Sequence, residues 1–281
     1  MRGYRRSRPG LGTLLTVSVD DAGLDVGLGV EAAVRSAFDL AESLESVFSR
    51  FDARSTVGRF NALPVGSSLP ACDVFSSLLR HALDLWQASE GAFNPFFPET
   101  PAAGRPPLVA SQGRVEKRSP CRLDLNGIAK GDVAERMALS LAHALPRAVG
   151  RVNAGGDVAA FPGIDASTVL LRVGRWQSGL AREARLTKRS VATTAVSQSV
   201  ADPHSASRYS RRLRRGLTPE HSVTAFANRG WAADALTKVA LYAPPCVVER
   251  CARELDAQIW VFDPGGELVE TYGHHEVRPA V

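Results

Sequence analysis

Apolar residues recur at the spacing of an α-helix in long parts of the chain. Val30, Val34 and Phe38 begin one such series, with arginine and glutamate between them. Another series follows Asp73, a residue suited to cap the start of a helix. Four helices are therefore predicted, at Val30–Phe51, Asp73–Ser89, about Lys130–Leu145 and Trp231–Tyr242.

Short runs rich in β-branched residues, bounded by glycine, proline or polar residues, predict strands. They are Thr13–Val19, Arg122–Leu125, Val149–Asn153, Thr168–Val173, Ser190–Thr194 and Ser222–Ala227. Gln258–Tyr272 is predicted to form a hairpin around a turn at Asp263–Gly266. Because strands and helices are interspersed, we expect an α+β fold: a single domain of mixed β-sheet with packed helices. The proline-rich segment 98–107 is predicted to be a connection.

Composition narrows the class of protein. The 281 residues are 44% hydrophobic and 22% charged, with a net charge of +5, as in ordinary globular proteins. No apolar run is long enough for a membrane span, and none follows the basic start as a signal peptide would, so a cytoplasmic location is expected. Residues 1–10 are expected to be a flexible basic arm, with the domain at 11–281. The four cysteines lack the C-x-x-C spacing of redox or zinc motifs.

The segment Asp124–Gly131 carries the strongest chemical signal. It leads from a strand through a turn into a helix, with a close-approach glycine at Gly127 and a cation at Lys130. A helix start with a lysine suits a phosphate or a metal-bound anion. The spacing matches neither the dinucleotide-binding nor the P-loop glycine motif.

Two further segments are candidates for a functional site. Asp234 and Lys238 are four residues apart in a predicted helix and so share a face, as a surface ion pair or as part of a Mg²⁺ site. Asn153–Asp157 contains two glycines and has the composition of a hairpin turn.

Taken in order, these segments resemble the FAD:protein FMN transferase (ApbE-like) family. The matching pieces cover nearly the whole chain. They are Gly12–Thr13, Phe48–Phe51 with Ser55 and Arg59–Asn61, Gly91–Pro95, Asp124–Gly131, Asn153–Asp157, Val191–Thr194, Asp202–Pro203 and Asp234–Lys238.

The resemblance implies an ApbE-like (T-fold-type) architecture and a Mg²⁺-dependent reaction. FMN would move from FAD to a Ser or Thr hydroxyl of an acceptor flavoprotein, with release of AMP. Gly127 and Asp234 would bind the metal, and Lys130 would meet the pyrophosphate. Lys130 and Asp234 would be catalytic, and His204 is a further catalytic candidate that lies near the matched segment and is not itself part of the family motif. The positions matched to FAD contacts are Leu11, Phe51, Ala92, Phe93, Asn94, Asp124, Lys130 and Val200. Phe51 and Phe93 have a second interpretation as core aromatics.

Two of the chain's departures from the family pattern affect the expected metal ligand and the expected base. Lys238 replaces a metal-binding threonine, and an ammonium cannot ligate Mg²⁺. Three outcomes are open: Thr237 contributes a ligand, Lys238 replaces part of the metal charge, or the site is weakened. Ser199 replaces a histidine proposed as the base, so His204 or His221 would have to substitute. The alternative functions are therefore a non-catalytic flavin-binding homologue and an FAD pyrophosphatase.

The run Arg208–Arg215 contains five arginines. Such a run suits nucleic acid or another anionic surface, but apart from Tyr209 it lacks the interleaved aromatics that stack on bases. It is more typical of a solvated loop, so nucleic acid is not the expected partner.

Overall fold

The computed structural model describes residues 3–20, 28–97, 105–161, 168–174, 179–186, 189–195 and 213–274. Its strands are β1 Tyr4–Gly10, β2 Thr13–Asp20, β3 Ser68–Pro70, β4 Phe96–Phe97, β5 Leu108–Ser111, β6 Arg114–Lys117, β7 Arg122–Leu123, β8 Val149–Ala154, β9 Asp157–Phe161, β10 Thr168–Arg172, β11 Ala181–Arg185, β12 Ser190–Ala195, β13 Ser222–Ala227, β14 Gln258–Phe262 and β15 Leu268–Gly273. The helices are α1 Leu28–Phe48, α2 Thr56–Ala62, α3 Asp73–Ala88, α4 Ala129–Ala144, α5 Gly230–Tyr242 and α6 Pro245–Glu254.

An eight-stranded sheet organises the fold, in the order β1-β2-β8-β9-β12-β13-β14-β15. Its strand pairs are antiparallel. Smaller sheets pair β10 with β11, β6 with β3 and β5, and β4 with β7. The predicted α+β class is confirmed.

Both faces of the central strands are covered. Val223 and Ala225 of β13 belong to the main core with the helices, whereas Phe226 belongs to a second apolar cluster with β10 and β11. Every residue of β13 and β14 is accordingly buried. The helices, the sheet and the β10–β11 pair thus form successive layers.

Helix α5 is buried from Gly230 to Leu241. It packs on α4 and on strands β12 and β13, and its many alanines allow this close packing. Helices α4 and α5 make a close backbone contact at Gly131 and Gly230. A Cβ added at Gly131 would lie 2.1 Å from the Gly230 carbonyl oxygen, and one at Gly230 would lie 2.1 Å from the Gly131 oxygen. Only glycine allows this backbone contact.

A carboxylate of α4 strengthens the same contact. Glu135 accepts hydrogen bonds from the Gly230 N–H at 2.7 Å and from the Arg229 guanidinium at 2.8 Å. An acidic group at the start of a helix satisfies an N–H that has no partner within the helix. The start of α5 is therefore fixed relative to α4.

The four predicted helices and the predicted strands are present with small shifts at their ends. α1 ends at Phe48 rather than Phe51, and the N-cap of α3 is Cys72 rather than Asp73, which lies in the first turn. Residues 98–104 of the predicted connection lie outside the described residues. None of the helices in the described part of the chain is long and apolar enough to cross a membrane.

The expected flexible arm at residues 1–10 is instead a strand from Tyr4 onward. β1 pairs with β2 along its whole length, from Tyr4 opposite Val19 to Gly10 opposite Thr13. Two of its arginines also reach acidic residues of α1, Arg6 to Glu31 at 3.5 Å and Arg8 to Asp39 at 3.3 Å. The arginines suggested a solvated arm, but alternate side chains of a strand can remain exposed while the backbone is paired.

Replacing Gly131 with alanine is expected to lower the free energy of unfolding by about 3 kcal/mol or more, because the methyl group would overlap the Gly230 backbone. Urea unfolding followed by circular dichroism measures this loss. Gly29→Ala is the matched control, since Gly29 is an exposed helical glycine with no atom within 4 Å of an added Cβ. That change is expected to be neutral or to stabilise by up to about 1 kcal/mol. Equal effects of the two substitutions would contradict the packing argument.

Candidate functional site

The loop before α4 forms one wall of the candidate site. Asp124 donates its N–H to the Pro95 carbonyl at 2.8 Å, and its carboxylate accepts the Asn126 N–H at 3.0 Å. This local bond turns the chain from β7 towards α4. A Cβ added at Gly127 would lie 3.4 Å from the Phe93 ring and 4.0 Å from the Lys238 side chain. The predicted segments around Phe93, Gly127 and Lys238 therefore meet.

Asp234 on α5 is fully buried beside the start of α4. One carboxylate oxygen accepts the Gly131 N–H at 3.3 Å, and the other is hydrogen-bonded to the Lys238 ammonium. Lys238 Nζ also donates to the Asp234 main-chain oxygen at 2.9 Å. The pair is thus a buried i,i+4 ion pair, and not the surface pair that the spacing alone suggested.

The charges around Asp234 determine its ionisation. Burial by itself raises the pKa of the carboxyl, but the ammonium groups of Lys238 and Lys130 and the Gly131 N–H together bring that pKa below its ordinary value. Lys130 therefore contributes positive charge to the same site from the first turn of α4. The carboxylate remains charged at neutral pH.

Thr237 is directed towards the sheet. Its hydroxyl donates to the Asp234 carbonyl at 2.7 Å and is hydrogen-bonded to the Thr194 hydroxyl of β12 at 2.8 Å. Residues 237 and 238 are separated by about 100° around the helix axis, so their side chains point in different directions. Thr237 therefore holds α5 against β12, and its contacts give no support to a role as a metal ligand.

The residues expected to bind a metal do not fit Mg²⁺. This cation prefers oxygen ligands in octahedral geometry. Here the Lys238 ammonium is bonded to the Asp234 carboxylate, and its carbon chain lies beside Gly127. Among the residues that the structure describes, no group of three or more His, Cys, Asp or Glu side chains is placed to hold a metal ion. The positive charge beside Asp234 is therefore that of the Lys238 side chain.

Arginine and aromatic side chains form the outer part of the site. Arg50 lies 3.2 Å from the Asp124 carboxylate, and its guanidinium stacks over Phe51 at 4.2 Å and over Phe97 at 5.0 Å. Phe51 is 59% exposed, whereas Phe93 is 3% exposed. The core interpretation is therefore correct for Phe93 and wrong for Phe51. Arg50 had no predicted role, although it lies within one of the segments that match the family.

The neighbouring residues of the Phe93 loop are half-buried. Ala92 and Asn94 precede and follow Phe93 in the chain, and the Asn94 side chain accepts the Phe96 N–H at 3.0 Å. Phe93 is itself anchored by its N–H, which donates to Ser89 at 3.0 Å. The loop is thus held by its own backbone contacts beside Gly127.

The β1–β2 turn and the β8–β9 turn, which both contain glycine, lie together at one end of the sheet. Leu11, at a φ of 55°, turns the chain between β1 and β2. A Cβ added at Gly155 would lie 2.5 Å from the Thr13 hydroxyl, and one at Gly156 would lie 3.9 Å from the Thr193 oxygen. The β8–β9 turn is therefore next to β12, whose Thr194 contacts α5.

Some predicted residues lie outside the described residues. They are Ser199, Val200, Asp202, Pro203, His204 and the first part of the arginine run, residues 208–212. His221 is described, and its ring nitrogen is hydrogen-bonded to the Thr218 hydroxyl at 2.9 Å and accepts the Thr218 N–H at 3.1 Å. These bonds give His221 a local structural role in a turn.

Removing one member of the buried ion pair is expected to destabilise the protein more than removing both. Asp234→Asn and Lys238→Met each leave a charge without its partner, at a cost of about 3–5 kcal/mol. The double variant is expected to recover most of that loss. Urea unfolding of all four proteins gives the coupling energy between the two positions. If the double variant lost the sum of the two single-variant losses in free energy of unfolding, the two side chains would not form a buried ion pair.

Acid is expected to remove part of the stability through Asp234. Because folding lowers the pKa of this carboxyl below 3.8, its contribution is present above that pH and is lost as the pH falls through the lower folded value. Urea unfolding between about pH 6 and pH 3 tests this. The Asp234→Asn, Lys238→Met double variant lacks the titrating group and is expected to lose less stability over that range. If the free energy of unfolding fell equally with pH in the two proteins, Asp234 would not be the source of the acid sensitivity.

Comparison with known proteins identifies the fold and the family. Three solved structures match: an ApbE protein from Thermotoga maritima, the flavinyl transferase ApbE of Pseudomonas stutzeri in its apo form, and the flavin transferase ApbE of Vibrio cholerae. The first has 20% identity, covers 96% of this chain and 97% of that chain, and has a TM-score of 0.74. The second has 20% identity, covers 96% of this chain and 93% of that chain, and has a TM-score of 0.73. The third has 15% identity, covers 96% of each chain, and has a TM-score of 0.70.

No curated protein matches the chain. The model of the ApbE family, however, matches residues 11–261, which include every segment of the candidate site. The resemblance stated from the sequence is thereby confirmed, and the chain belongs to the ApbE family.

Proposed function

We propose that this protein transfers FMN from FAD to a Ser or Thr hydroxyl of an acceptor flavoprotein and releases AMP. Membership of the ApbE family supports flavin transfer, as does the similarity to the structures of a flavinyl transferase and a flavin transferase. The hydroxyl acceptor and the release of AMP follow from the resemblance seen in the sequence. The expected cytoplasmic location remains a prediction.

The observation that carries the proposal is the meeting of segments that are far apart in sequence. Gly127 and Lys130 at the start of α4 lie against Asp234 and Lys238 of α5, with Arg50 and Asp124 at the outer edge. The cluster combines ammonium groups, a guanidinium and an exposed aromatic ring. A dinucleotide offers the complementary groups, a pyrophosphate and flat ring systems.

The reaction needs charge compensation and positioning more than covalent chemistry from the protein. The acceptor hydroxyl oxygen attacks the phosphorus of the FMN half. A new P–O bond forms to the acceptor, the P–O bond to AMP breaks, and the hydroxyl proton passes to a base. Lys130 and Lys238 would stabilise the negative charge on the phosphates. His204 is proposed as the base on the sequence alone.

Phe51 and Arg50 are proposed to hold one ring system of FAD. The Phe51 ring is largely exposed, and its face provides a stacking surface for a flat ring. Arg50 is already aligned by Asp124 and by two aromatic rings. Leu11, Ala92, Asn94 and Val200 remain proposed FAD contacts on the strength of the resemblance.

The experiment that tests the function uses the full chain, FAD and a peptide with a Ser or Thr acceptor motif. AMP release is followed by chromatography and the peptide by mass spectrometry. A peptide mass increased by FMN, with one AMP released for each labelled peptide, is the expected result. A peptide with alanine at the acceptor position is the control and is expected to remain unlabelled.

Other outcomes separate the alternatives. AMP and free FMN without a labelled peptide or protein acceptor would indicate an FAD pyrophosphatase. Tight FAD binding without either product would indicate a non-catalytic flavin-binding homologue. Absence of FAD binding would overturn the proposal altogether.

Phe51→Ala is expected to weaken FAD binding about tenfold, because stacking on an aromatic ring contributes on the order of 1–3 kcal/mol. Its effect on the free energy of unfolding is expected to be small, since the ring is largely exposed. Fluorescence titration with FAD and urea unfolding measure the two quantities. Leu170→Ala is the matched control, an apolar side chain that is 72% exposed in β10. Equal FAD affinities of the two variants would remove Phe51 from the site.

A further inference from the structure

We infer that the Lys238 ammonium is the resident cation of this site, so that the protein binds FAD without a divalent metal. This inference rests on the proposed function, and it makes Lys238 a substrate-binding residue. Among the outcomes left open by the sequence, it selects replacement of the metal charge by the lysine.

The position of Lys238 is the first argument. Its side chain lies between Gly127 and Asp234, the two positions that the resemblance matches to metal ligands. A cation there would have to contact the Asp234 carboxylate, and the ammonium already does so. An additional doubly charged ion would lie close to a buried ammonium, where like charges repel strongly because the local dielectric constant is low.

The way Lys238 is held is the second argument. It is 8% exposed, and it donates both to the carboxylate and to the main-chain oxygen of Asp234. Both bonds lie within one turn of α5, a helix that is buried from Gly230 to Leu241. The ammonium is therefore held in place by the same element that holds the carboxylate.

The charge balance is the third argument. Lys130 and Lys238 each contribute one positive charge and Asp234 contributes one negative charge, so these three groups leave the site with a net positive charge. Arg50 supplies another cation at the outer edge. A pyrophosphate can therefore be bound by ammonium and guanidinium groups alone.

A metal titration of the protein without FAD tests the inference independently of the proposed function. Thermal unfolding of the wild type is expected to be unchanged by Mg²⁺. Lys238→Thr exchanges the ammonium for an oxygen donor beside Asp234, and we expect Mg²⁺ to raise its melting temperature by about 2–4 °C. Lys238→Met removes the charge without adding a donor and is the matched control. Combining Lys238→Thr with Asp234→Asn is expected to abolish the gain.

Stabilisation of the wild type by Mg²⁺ that is lost in Asp234→Asn would overturn the inference, since the metal would then have displaced the ammonium. Failure of Lys238→Thr to respond to Mg²⁺ would also contradict it. If that variant does not fold, two wild-type experiments still decide whether the site binds a divalent metal. They are the Mg²⁺ titration and Mn²⁺ binding measured by electron paramagnetic resonance. A Mn²⁺ signal from an ion bound at Asp234 in the wild type would refute the inference.

FAD binding provides the second test. The wild-type affinity is expected to agree within about twofold in EDTA and in Mg²⁺, and Lys238→Met is expected to lose about 10- to 100-fold of it, the effect of a charge-assisted hydrogen bond. A wild-type affinity that depends on Mg²⁺ would overturn the inference while leaving flavin transfer intact. Absence of FAD binding in both conditions would overturn the proposed function, and the metal titration would still decide the role of Lys238.

Discussion

The backbone contact between Gly131 and Gly230 is the constraint on which the candidate site depends. Neither position has room for a methyl group, because each glycine faces the carbonyl oxygen of the other. This contact places the start of α4 beside the first turns of α5. The Gly131 N–H then reaches Asp234, and Lys130 lies close enough to influence the ionisation of that carboxyl. A wider separation of the helices would break both interactions.

The sheet supports α5 from the other side. The hydroxyl pair of Thr194 and Thr237 links β12 to the helix, and Thr193 of the same strand is hydrogen-bonded to Thr224 of β13 at 2.9 Å. α5 thus lies between a close helix contact and a strand contact, both made by small or short side chains. A buried carboxylate is tolerated in this setting because an ammonium and an N–H satisfy it.

Much of the fold could be predicted from hydrophobic periodicity, because α1, α3, α4 and α5 have apolar faces longer than three turns. The strand Tyr4–Gly10 could not, since two of its arginines are paired with α1 and its backbone with β2, contacts that lie outside the segment itself. Within the site, Asp234 and Lys238 were found by their spacing. Their burial was not predictable, because it arises from the contact of two glycines about a hundred residues apart. The exposure of Phe51 also depends on where α1 ends.

In the mechanism that we propose, a cation site built from lysine side chains binds the pyrophosphate of FAD. The most direct measurement is a crystal structure of the protein grown with FAD and Mg²⁺. We expect the pyrophosphate within hydrogen-bond distance of Lys130 and Lys238, the Lys238 ammonium still hydrogen-bonded to Asp234, and a flavin or adenine ring over Phe51. A metal ion between Asp234 and the phosphates, with Lys238 turned away, would contradict it.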